Sequence, residues 1–380
     1  MLLSENKLYL SVLITTYIYL LLCMWFMVSR PQVVTYIMIL IEILVLEKYS
    51  RTEKWYYLIP MPIISLILIN YHASMWWMLF AFLLPYIVET VNIKWLSLNP
   101  RSIKRMPIYI SSLLMFIMGF INPYGYKLIL YVFTSFGNAS INQSILEMGA
   151  PDVKTVNGII YFVTLFFVIF CYVLNKDGNI KLRYILLAIG TCGLSLMALK
   201  SIPYFLFGTV ITLCHNLKNM GDKLVFRIDS KKTFITISIF IILIYLISIS
   251  LIIKDYDESK DFPETKNAIA YLNENTDEKN VSLYTSFFDG GYAEYRGFKT
   301  YIDARAEVFL QSNNQQKDVF EEYISLQSGE LHYQEFLNMY SFTHILVTKD
   351  DILNVYLLKD DNYAVLYEDE KSKIFIPVNN

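Results

Sequence analysis

Two acidic residues at a spacing suited to acid–base or metal chemistry lie in the stretch "ILEMGAPD", at Glu147 and Asp152. A carboxylate at Glu147 could act as general base toward an acceptor hydroxyl. Together with Asp152 it could instead bind a divalent cation; the sequence names no cofactor beyond this. The alternative is a solvated acid in a loop, with no catalytic role.

A second group of charges follows a period of two in "KTYIDARAEVF", at Asp303, Arg305 and Glu307. On a β-strand this spacing places all three side chains on one face. Arg305 could bind a phosphate group through its planar fork, with Asp303 beside it as a further binding residue. The alternative is an internal Asp–Arg pair that closes the end of the strand, while Gly290 and Gly291 allow close packing.

Two further candidates lie in turns between apolar segments. His72, in "NYHAS", could bind a phosphate or simply hydrogen-bond to a backbone carbonyl. Tyr124 lies in "NPYG", which is mainly a helix stop and a turn, and is a weaker substrate-binding candidate.

The elements that position these residues are predicted from composition. The chain is 55% hydrophobic and 17% charged, with a mean hydropathy of +0.41, whereas soluble domains are nearer a quarter charged. Apolar runs alternate with short basic loops up to residue 253, and a polar sequence follows. The fold class expected is a mainly α polytopic membrane bundle with a C-terminal extracytoplasmic α/β domain, residues 254–380. About nine transmembrane helices are predicted, at 8–28, 31–46, 55–69, 75–93, 106–121, 156–174, 184–199, 202–217 and 234–253.

Loop charge predicts the orientation of these spans. Loops such as "EKYSRTEK" and "KWLSLNPRSIKR" are rich in Lys and Arg, whereas "NYHAS" and "LKSIP" carry one positive charge between them. The positive-inside rule then places the N-terminus in the cytoplasm and residues 254–380 outside a multi-pass protein of the cell membrane. The segment at about 122–155 should lie at the outer face without crossing, because the basic loops on either side of it share one side.

Two glutamates, Glu42 and Glu89, fall inside apolar runs, where an ionisable group is a functional hypothesis by default. Glu89 is close to a basic loop and is interpreted as interfacial, whereas Glu42 is deeper. The C-terminal domain alternates helix and strand patterns, which predicts a three-layer α/β fold. The strands expected in it are "VSLYTSFF", "FKTYIDAR", "THILVT" and a hairpin in "YAVLYEDEKSKIFIPV".

Several segments resemble a group of uncharacterised bacterial multi-spanning proteins. They are "FFDGGYAEYRGFKTYIDARAEVF", "FTHILVTKDD" and "YAVLYEDEKSKIFIP", with the upstream matches "RPQVVTYIMILIEILVLEKY", "LINYHAS", "NPYGYKLILY", "ILEMGAPD" and "LKSIPYFLF". That group is related to the GT-C glycosyltransferase superfamily, which contains the protein mannosyltransferases and oligosaccharyltransferases. Compared with that group, the sequence looks as if it begins in the middle of the architecture, after the N-terminal spans and their acidic loop. It also has Ala304 where a glycine is expected and Asp289 where a tryptophan is expected.

The resemblance implies an enzyme that transfers sugar from a polyprenyl-phosphate donor on the outer membrane face, or a truncated or inactive form of one. The alternative is a non-catalytic membrane protein whose outer α/β domain binds a glycan, a lipid or a protein partner. The partners expected are the lipid bilayer, a polyprenyl-phosphate-linked sugar and a partner chain that supplies the missing N-terminal spans. Nucleic-acid binding is not expected, because no basic stripe stands out and the net charge is −2.

Overall fold

The computed structural model describes most of the chain and divides it into two compact units. One unit takes residues 1–133 and 145–249, and the other takes 134–144 and 250–380. The residues described are 8–26, 30–91, 104–135, 145–174, 181–219 and 263–378, with single positions at 239, 243, 246 and 250.

The first unit, called the helical unit below, is built from nine α-helices within its described residues. They are α1 Leu8–Trp25, α2 Gln32–Thr52, α3 Pro60–Tyr71, α4 Trp76–Glu89, α5 Arg105–Met118, α6 Tyr126–Ser135, α7 Val156–Leu174, α8 Leu182–Met197 and α9 Ile202–Asn219. Short 3₁₀ turns join several of them, at Trp55–Leu58, Ala73–Met75, Leu146–Met148 and Leu199–Ser201.

The lengths of these helices contradict the prediction of about nine transmembrane spans. Across the described residues, one helix is long and apolar enough to cross a membrane, through the window Val156–Val173. The multi-pass membrane fold class is therefore corrected to a helical unit with one candidate span, joined to a unit that contains a small sheet. The predicted span 234–253 lies outside the described residues apart from its isolated helical positions.

For several predicted spans the apolar run is longer than the helix that it forms. The predicted span 55–69 is a 3₁₀ turn, Trp55–Leu58, followed by a helix of 12 residues that starts at Pro60. A helix of that length rises about 18 Å, well short of a hydrocarbon core of about 30 Å. The next two helices, α4 and α5, have 14 residues each, and α8 has 16. The predicted span 31–46 belongs to the longer α2, whose continuation carries Glu47, Lys48 and Arg51.

The second unit, called the α/β unit below, contains a five-stranded mixed sheet. Its strands are β1 Ser282–Tyr284, β2 Lys299–Thr300, β3 His344–Thr348, β4 Tyr363–Glu368 and β5 Ser372–Pro377. The order across the sheet is β2-β1-β3-β5-β4, with β1 parallel to both β2 and β3 and with β5 antiparallel to β3 and β4. The helices around it are α10 Lys266–Asn275, α11 Gly290–Tyr295, α12 Gln311–Asn314, α13 Val319–Ser328, α14 Tyr333–Met339 and α15 Ile352–Leu357.

The central strand β3 is buried on both faces of the sheet, and its successive side chains point to opposite faces. Leu346 packs in a cluster with Ile269 and Leu272 of α10. Its neighbour Val347 packs in the opposite cluster with Phe336 of α14. The apolar side chains of β1, β3 and β5, together with those of the helices, form the two clusters that make up the core of this unit.

Strand β2 is shorter than the sequence pattern predicts. The pattern extends a strand through Asp303 and Arg305, but β2 ends at Thr300 and a 3₁₀ turn follows at Ala306–Phe309. The reason is local, because the Asp303 carboxylate accepts the backbone N–H of Arg305 at 2.8 Å. This Asx turn competes with strand pairing and redirects the chain.

Candidate functional site

Glu147 forms an ion pair at one end of the helical unit. Its Oε1 lies 2.6 Å from Nη1 of Arg30, and the two side chains are 48% and 50% exposed. Arg30 directly precedes Pro31 at the start of α2, and Glu147 lies in the turn Leu146–Met148. The carbonyl of Gly149 accepts the N–H of Leu199 at 2.9 Å, which fixes this turn against the one that carries Lys200.

His72 lies at the end of α3 and contacts the first turn of α2. Its N–H donates to the carbonyl of Leu68 at 2.8 Å, and its Nδ1 lies 2.7 Å from the hydroxyl of Thr35, a fully buried residue. Burial, and secondarily the charge of Lys200, lowers the pKa of His72 to about 4. The imidazole is therefore neutral at pH 7, and with Nδ1 occupied its Nε2 is the nitrogen left for another partner.

Tyr36 feels the charges of the Glu147–Arg30 ion pair and is the neighbour of Thr35, which contacts His72. It follows Thr35 in α2, is buried, and packs edge-on against Tyr204 and Phe207 with ring centroids 5.9 and 5.5 Å away. Burial raises the pKa of Tyr36, the Glu147 carboxylate raises it further, and Arg30 opposes them. The Glu147–Arg30 ion pair and the His72–Thr35 contact thus both lie at the start of α2. The name "Arg30 cluster" is used below for Arg30, Thr35, Tyr36, His72, Glu147 and Lys200.

Asp152 and Tyr124 have local roles. The Asp152 carboxylate accepts the N–H of Lys154 at 2.9 Å, and its carbonyl accepts both the N–H and the hydroxyl of Thr155. The same carbonyl approaches Gly158 so closely that a Cβ there would lie 1.8 Å from its oxygen. The Tyr124 side chain is 69% exposed, in a turn that the Asn122 side chain stabilises through three hydrogen bonds.

No metal centre forms around Glu147 within the described residues. Across that part of the chain, no three His, Cys, Asp or Glu side chains come close enough together to hold an ion. The partner that Glu147 has is a guanidinium group. The chemistry this arrangement permits is therefore that of one carboxylate near two cations and a neutral imidazole.

Asp303 and Arg305 bind each other in the α/β unit. The Asp303 side chain is buried, and both its oxygens accept from Nε of Arg305, at 2.9 and 3.0 Å. Nη2 of Arg305 also bonds Asp303, and it bonds Glu294 of α11 at 2.8 Å. Burial would raise the Asp303 pKa, but the hydrogen bonds and charge of Arg305 outweigh it and lower that pKa below its ordinary value of 3.8. The two residues form an internal clamp at the end of β2.

The backbone beside the Asp303–Arg305 clamp leaves no room for a side chain at Gly290. A Cβ at Gly290 would lie 1.9 Å from the carbonyl oxygen of Ile302 and 3.0 Å from Cα of Asp303. At Gly291 the space is open. The preceding Asp289 is buried and accepts hydroxyl hydrogen bonds from Thr265 and Ser286. The first glycine of the pair thus allows the start of α11 to approach the chain that leaves β2.

Sequence reasoning missed four members of the cluster, which are Arg30, Thr35, Tyr36 and Lys200. Arg30 and Lys200 are single basic residues beside apolar runs, "RPQ" and "LKSIP", and a basic residue in an otherwise weakly charged loop was the available signal. Thr35 gave none, because a threonine inside a helix is ordinary. Their proximity to Glu147 and His72 depends on tertiary contacts.

The reasoning also missed a buried ion network at the other end of α2. Nε of Arg183 lies 3.0 Å from Glu47, and Nη1 of Arg183 bonds Glu89. Glu89, interpreted from sequence as interfacial, has a side chain only 9% exposed. Glu42 is fully buried, and both its carboxyl oxygens lack a hydrogen-bond partner among the described residues.

Comparison with known proteins adds no family to these observations: the chain matches neither a protein-family model nor a curated protein.

Proposed function

We propose that the chain transfers a sugar from a polyprenyl-phosphate donor to a hydroxyl acceptor, with the Arg30 cluster as its active site. The observation that carries this proposal is the pairing of Glu147 with Arg30 beside a turn that holds Lys200. The resemblance of the chain to GT-C glycosyltransferases supports the choice of donor. The window Val156–Val173 supplies a candidate membrane anchor that brings the cluster to a lipid-linked substrate.

Each residue has a chemical task in this proposal. The acceptor hydroxyl loses its proton to the Glu147 carboxylate as its oxygen attacks the anomeric carbon of the sugar. The bond between that carbon and the donor phosphate breaks, and the phosphate leaves with the electron pair. Arg30 and Lys200 stabilise the negative charge on the leaving phosphate. His72, neutral at pH 7, is placed to hydrogen-bond through Nε2 without adding charge.

The test is transfer of labelled hexose from a short polyprenyl-phosphate hexose by the purified full-length chain. Replacing the proton acceptor in Glu147→Gln should lower turnover 10²- to 10⁴-fold, the usual effect of losing a general base. Stability should change little, because exposed ion pairs contribute about 0–1 kcal/mol. The matched control is Glu335→Gln, the same change at an exposed glutamate of the α/β unit, which should leave turnover unaltered.

Two outcomes would contradict the proposal. Turnover in Glu147→Gln equal to that of the unmodified chain would remove Glu147 from the mechanism. Absence of transfer from every polyprenyl-phosphate hexose tried would favour the second candidate function.

The second candidate is a non-catalytic protein whose α/β unit binds a glycan, favoured by two exposed aromatic side chains. Phe288 and Tyr295 are 81% and 83% exposed at the two ends of the segment that contains α11. Gly291 between them leaves open space, and Glu294 and Arg305 supply polar groups nearby. Aromatic faces with a polar rim suit recognition of an amphipathic ligand. Titration with oligosaccharides should then show saturable binding that is lost in Phe288→Ala and Tyr295→Ala; equal binding by both variants would exclude this surface.

A further inference from the structure

One end of the helical unit is basic and aromatic. It is formed by the last two turns of α2, the 3₁₀ turn Trp55–Leu58 and the first residues of α5. Among the described residues, the acidic groups at this end are Glu47 and Glu89, which are buried against Arg183, and the half-buried Glu53. The exposed basic side chains are Lys48, Arg51, Lys54, Lys104 and Arg105.

Hydrogen bonds and ring contacts hold these residues in one surface. The Tyr49 hydroxyl donates to the carbonyl of Lys104 at 2.6 Å, which fixes the start of α5 against the end of α2. Nζ of Lys48 lies 5.5 Å from the ring centroid of Tyr57, and Nζ of Lys54 lies 5.9 Å from that of Tyr56. Trp55, between Lys54 and Tyr56 in the chain, is 64% exposed. The surface therefore presents ammonium groups interleaved with aromatic rings.

Exposed apolar faces adjoin this basic surface. Ile59 and Ile63 are 53% and 55% exposed and stand one turn apart at the start of α3. On α5, Met106, Ile110 and Leu113 repeat the pattern with exposures of 67%, 53% and 59%. Spacings of three and four residues place such side chains on one side of each helix. Each apolar face begins after a basic residue in the chain, since Ile59 comes after Lys54 and Met106 directly follows Arg105.

We propose that this basic–aromatic end binds the headgroups of anionic phospholipids, with the apolar faces of α3 and α5 against their acyl chains. Charge complementarity selects the anionic headgroup, because in the described part of this surface the exposed Lys and Arg outnumber the one partly exposed glutamate. Trp and Tyr are the side chains that prefer the headgroup layer of a bilayer. A nucleic acid or an acidic protein would satisfy the charges but would leave the apolar faces in water. The binding is independent of sugar transfer, since no member of the Arg30 cluster takes part.

The test uses the purified full-length chain in detergent micelles and the fluorescence of Trp55. Phosphatidylglycerol and phosphatidylcholine with brominated acyl chains are titrated separately, because bromine quenches an indole that it contacts. Phosphatidylglycerol should quench at a lower mole fraction than phosphatidylcholine, and salt should weaken the difference. Trp55→Phe should remove this component of the quenching.

A charge-neutralising variant measures the contribution of the lysines. Each basic residue near an anionic surface raises the binding constant roughly five-fold, so Lys48→Gln, Lys54→Gln and Lys104→Gln together predict binding weaker by roughly 100-fold. The control makes the same charge change at three exposed lysines of the α/β unit, Lys266, Lys299 and Lys349. It should bind phosphatidylglycerol like the unmodified chain.

Four results would overturn the proposal. The two lipids could quench Trp55 equally, which would leave no preference for charge. The triple variant could bind like the unmodified chain, or the control variant could lose as much affinity. Binding of heparin that depends on the three lysines, without preferential quenching by phosphatidylglycerol, would assign the surface to a different polyanion.

Discussion

The two adjacent glycines at the start of α11 should respond oppositely to the same substitution. In Gly290→Ala the new methyl group would lie 1.9 Å from the carbonyl oxygen of Ile302, whereas in Gly291→Ala it would enter open space. A carbon in ordinary contact with a carbonyl oxygen stays about 3.3 Å away, so the chain after Ile302 must retreat by roughly 1.4 Å. That movement acts directly on the Asp303–Arg305 clamp, because Cα of Asp303 is only 3.0 Å from the same point.

The expected free-energy changes follow from these distances. Forcing a group into a packed site costs about 1–3 kcal/mol and occasionally more, and backbone is the least able to yield. Replacing a helical glycine by alanine in open space stabilises by about 0.5–1 kcal/mol, because the unfolded chain loses freedom. The two variants should therefore differ by roughly 2–3 kcal/mol, with Gly290→Ala the less stable.

Amide hydrogen exchange of the full-length chain is the appropriate assay, because it reports on each segment separately. Peptides that cover α11 and β2 should exchange roughly 30- to 150-fold faster in Gly290→Ala than in Gly291→Ala, while peptides of the helical unit should not change. Equal exchange in the two variants would refute the reasoning. It would mean that the close approach of Gly290 to Ile302 is not maintained.

Four further substitutions test the Asp303–Arg305 pair, His72 and the buried Arg183 network. Asp303→Asn should lower the unfolding free energy by about 1.5–3 kcal/mol, and Arg305→Gln should add little to it in a double-mutant cycle monitored by denaturation. Because Arg305 lowers the Asp303 pKa in the fold, stability from this pair should be present above pH 3.8 and be lost as the pH falls through that lowered pKa. His72 has a folded pKa of about 4 against 6.5 unfolded, so the unfolded chain binds more protons between these values and stability falls as the pH drops through that window. In His72→Gln this loss of stability, at most about 3 kcal/mol, should disappear from a profile of thermal stability against pH. Arg183→Met should destabilise by about 3–5 kcal/mol in denaturant titrations, because two buried carboxylates lose their partner; a smaller loss than an exposed Arg→Met control would contradict the buried network.

Local patterns were sufficient to locate much of the small sheet. The continuous β-branched run "THILVT" is strand β3 His344–Thr348, and the hairpin in "YAVLYEDEKSKIFIPV" turns between Glu368 and Ser372 as predicted. Both signals depend only on neighbouring residues. Strand β2 was overextended because the alternation of Asp303 and Arg305 has the same period as a strand, whereas their mutual hydrogen bonds make a turn.

Helix length and the composition of the site could not be predicted in the same way. The apolar run 55–69 was counted as one span although Pro60 stands in the first turn of α3, where proline marks a helix start, so the 3₁₀ turn Trp55–Leu58 was included in that span. Glu147 and His72 stood out as polar residues in short loops. Their partners Arg30 and Thr35 are 117 and 37 residues away in sequence, and only the packing of the helices brings them together.

The geometry of α2 makes the two proposals for the helical unit separable. Thr35 of the Arg30 cluster and Arg51 of the basic–aromatic end are 16 positions apart on one helix, or about 24 Å at 1.5 Å per residue. Substitutions more than about 10 Å apart with no shared partner are normally additive. Combining Glu147→Gln with the triple lysine variant should therefore lower sugar transfer as much as Glu147→Gln alone and lipid binding as much as the lysine changes alone. A loss of transfer in the lysine variant, measured with a donor in detergent, would show instead that the two ends are coupled through α2. The buried network of Glu47, Glu89 and Arg183 would then be the element to alter next, since it ties the basic end of α2 to α4 and α8.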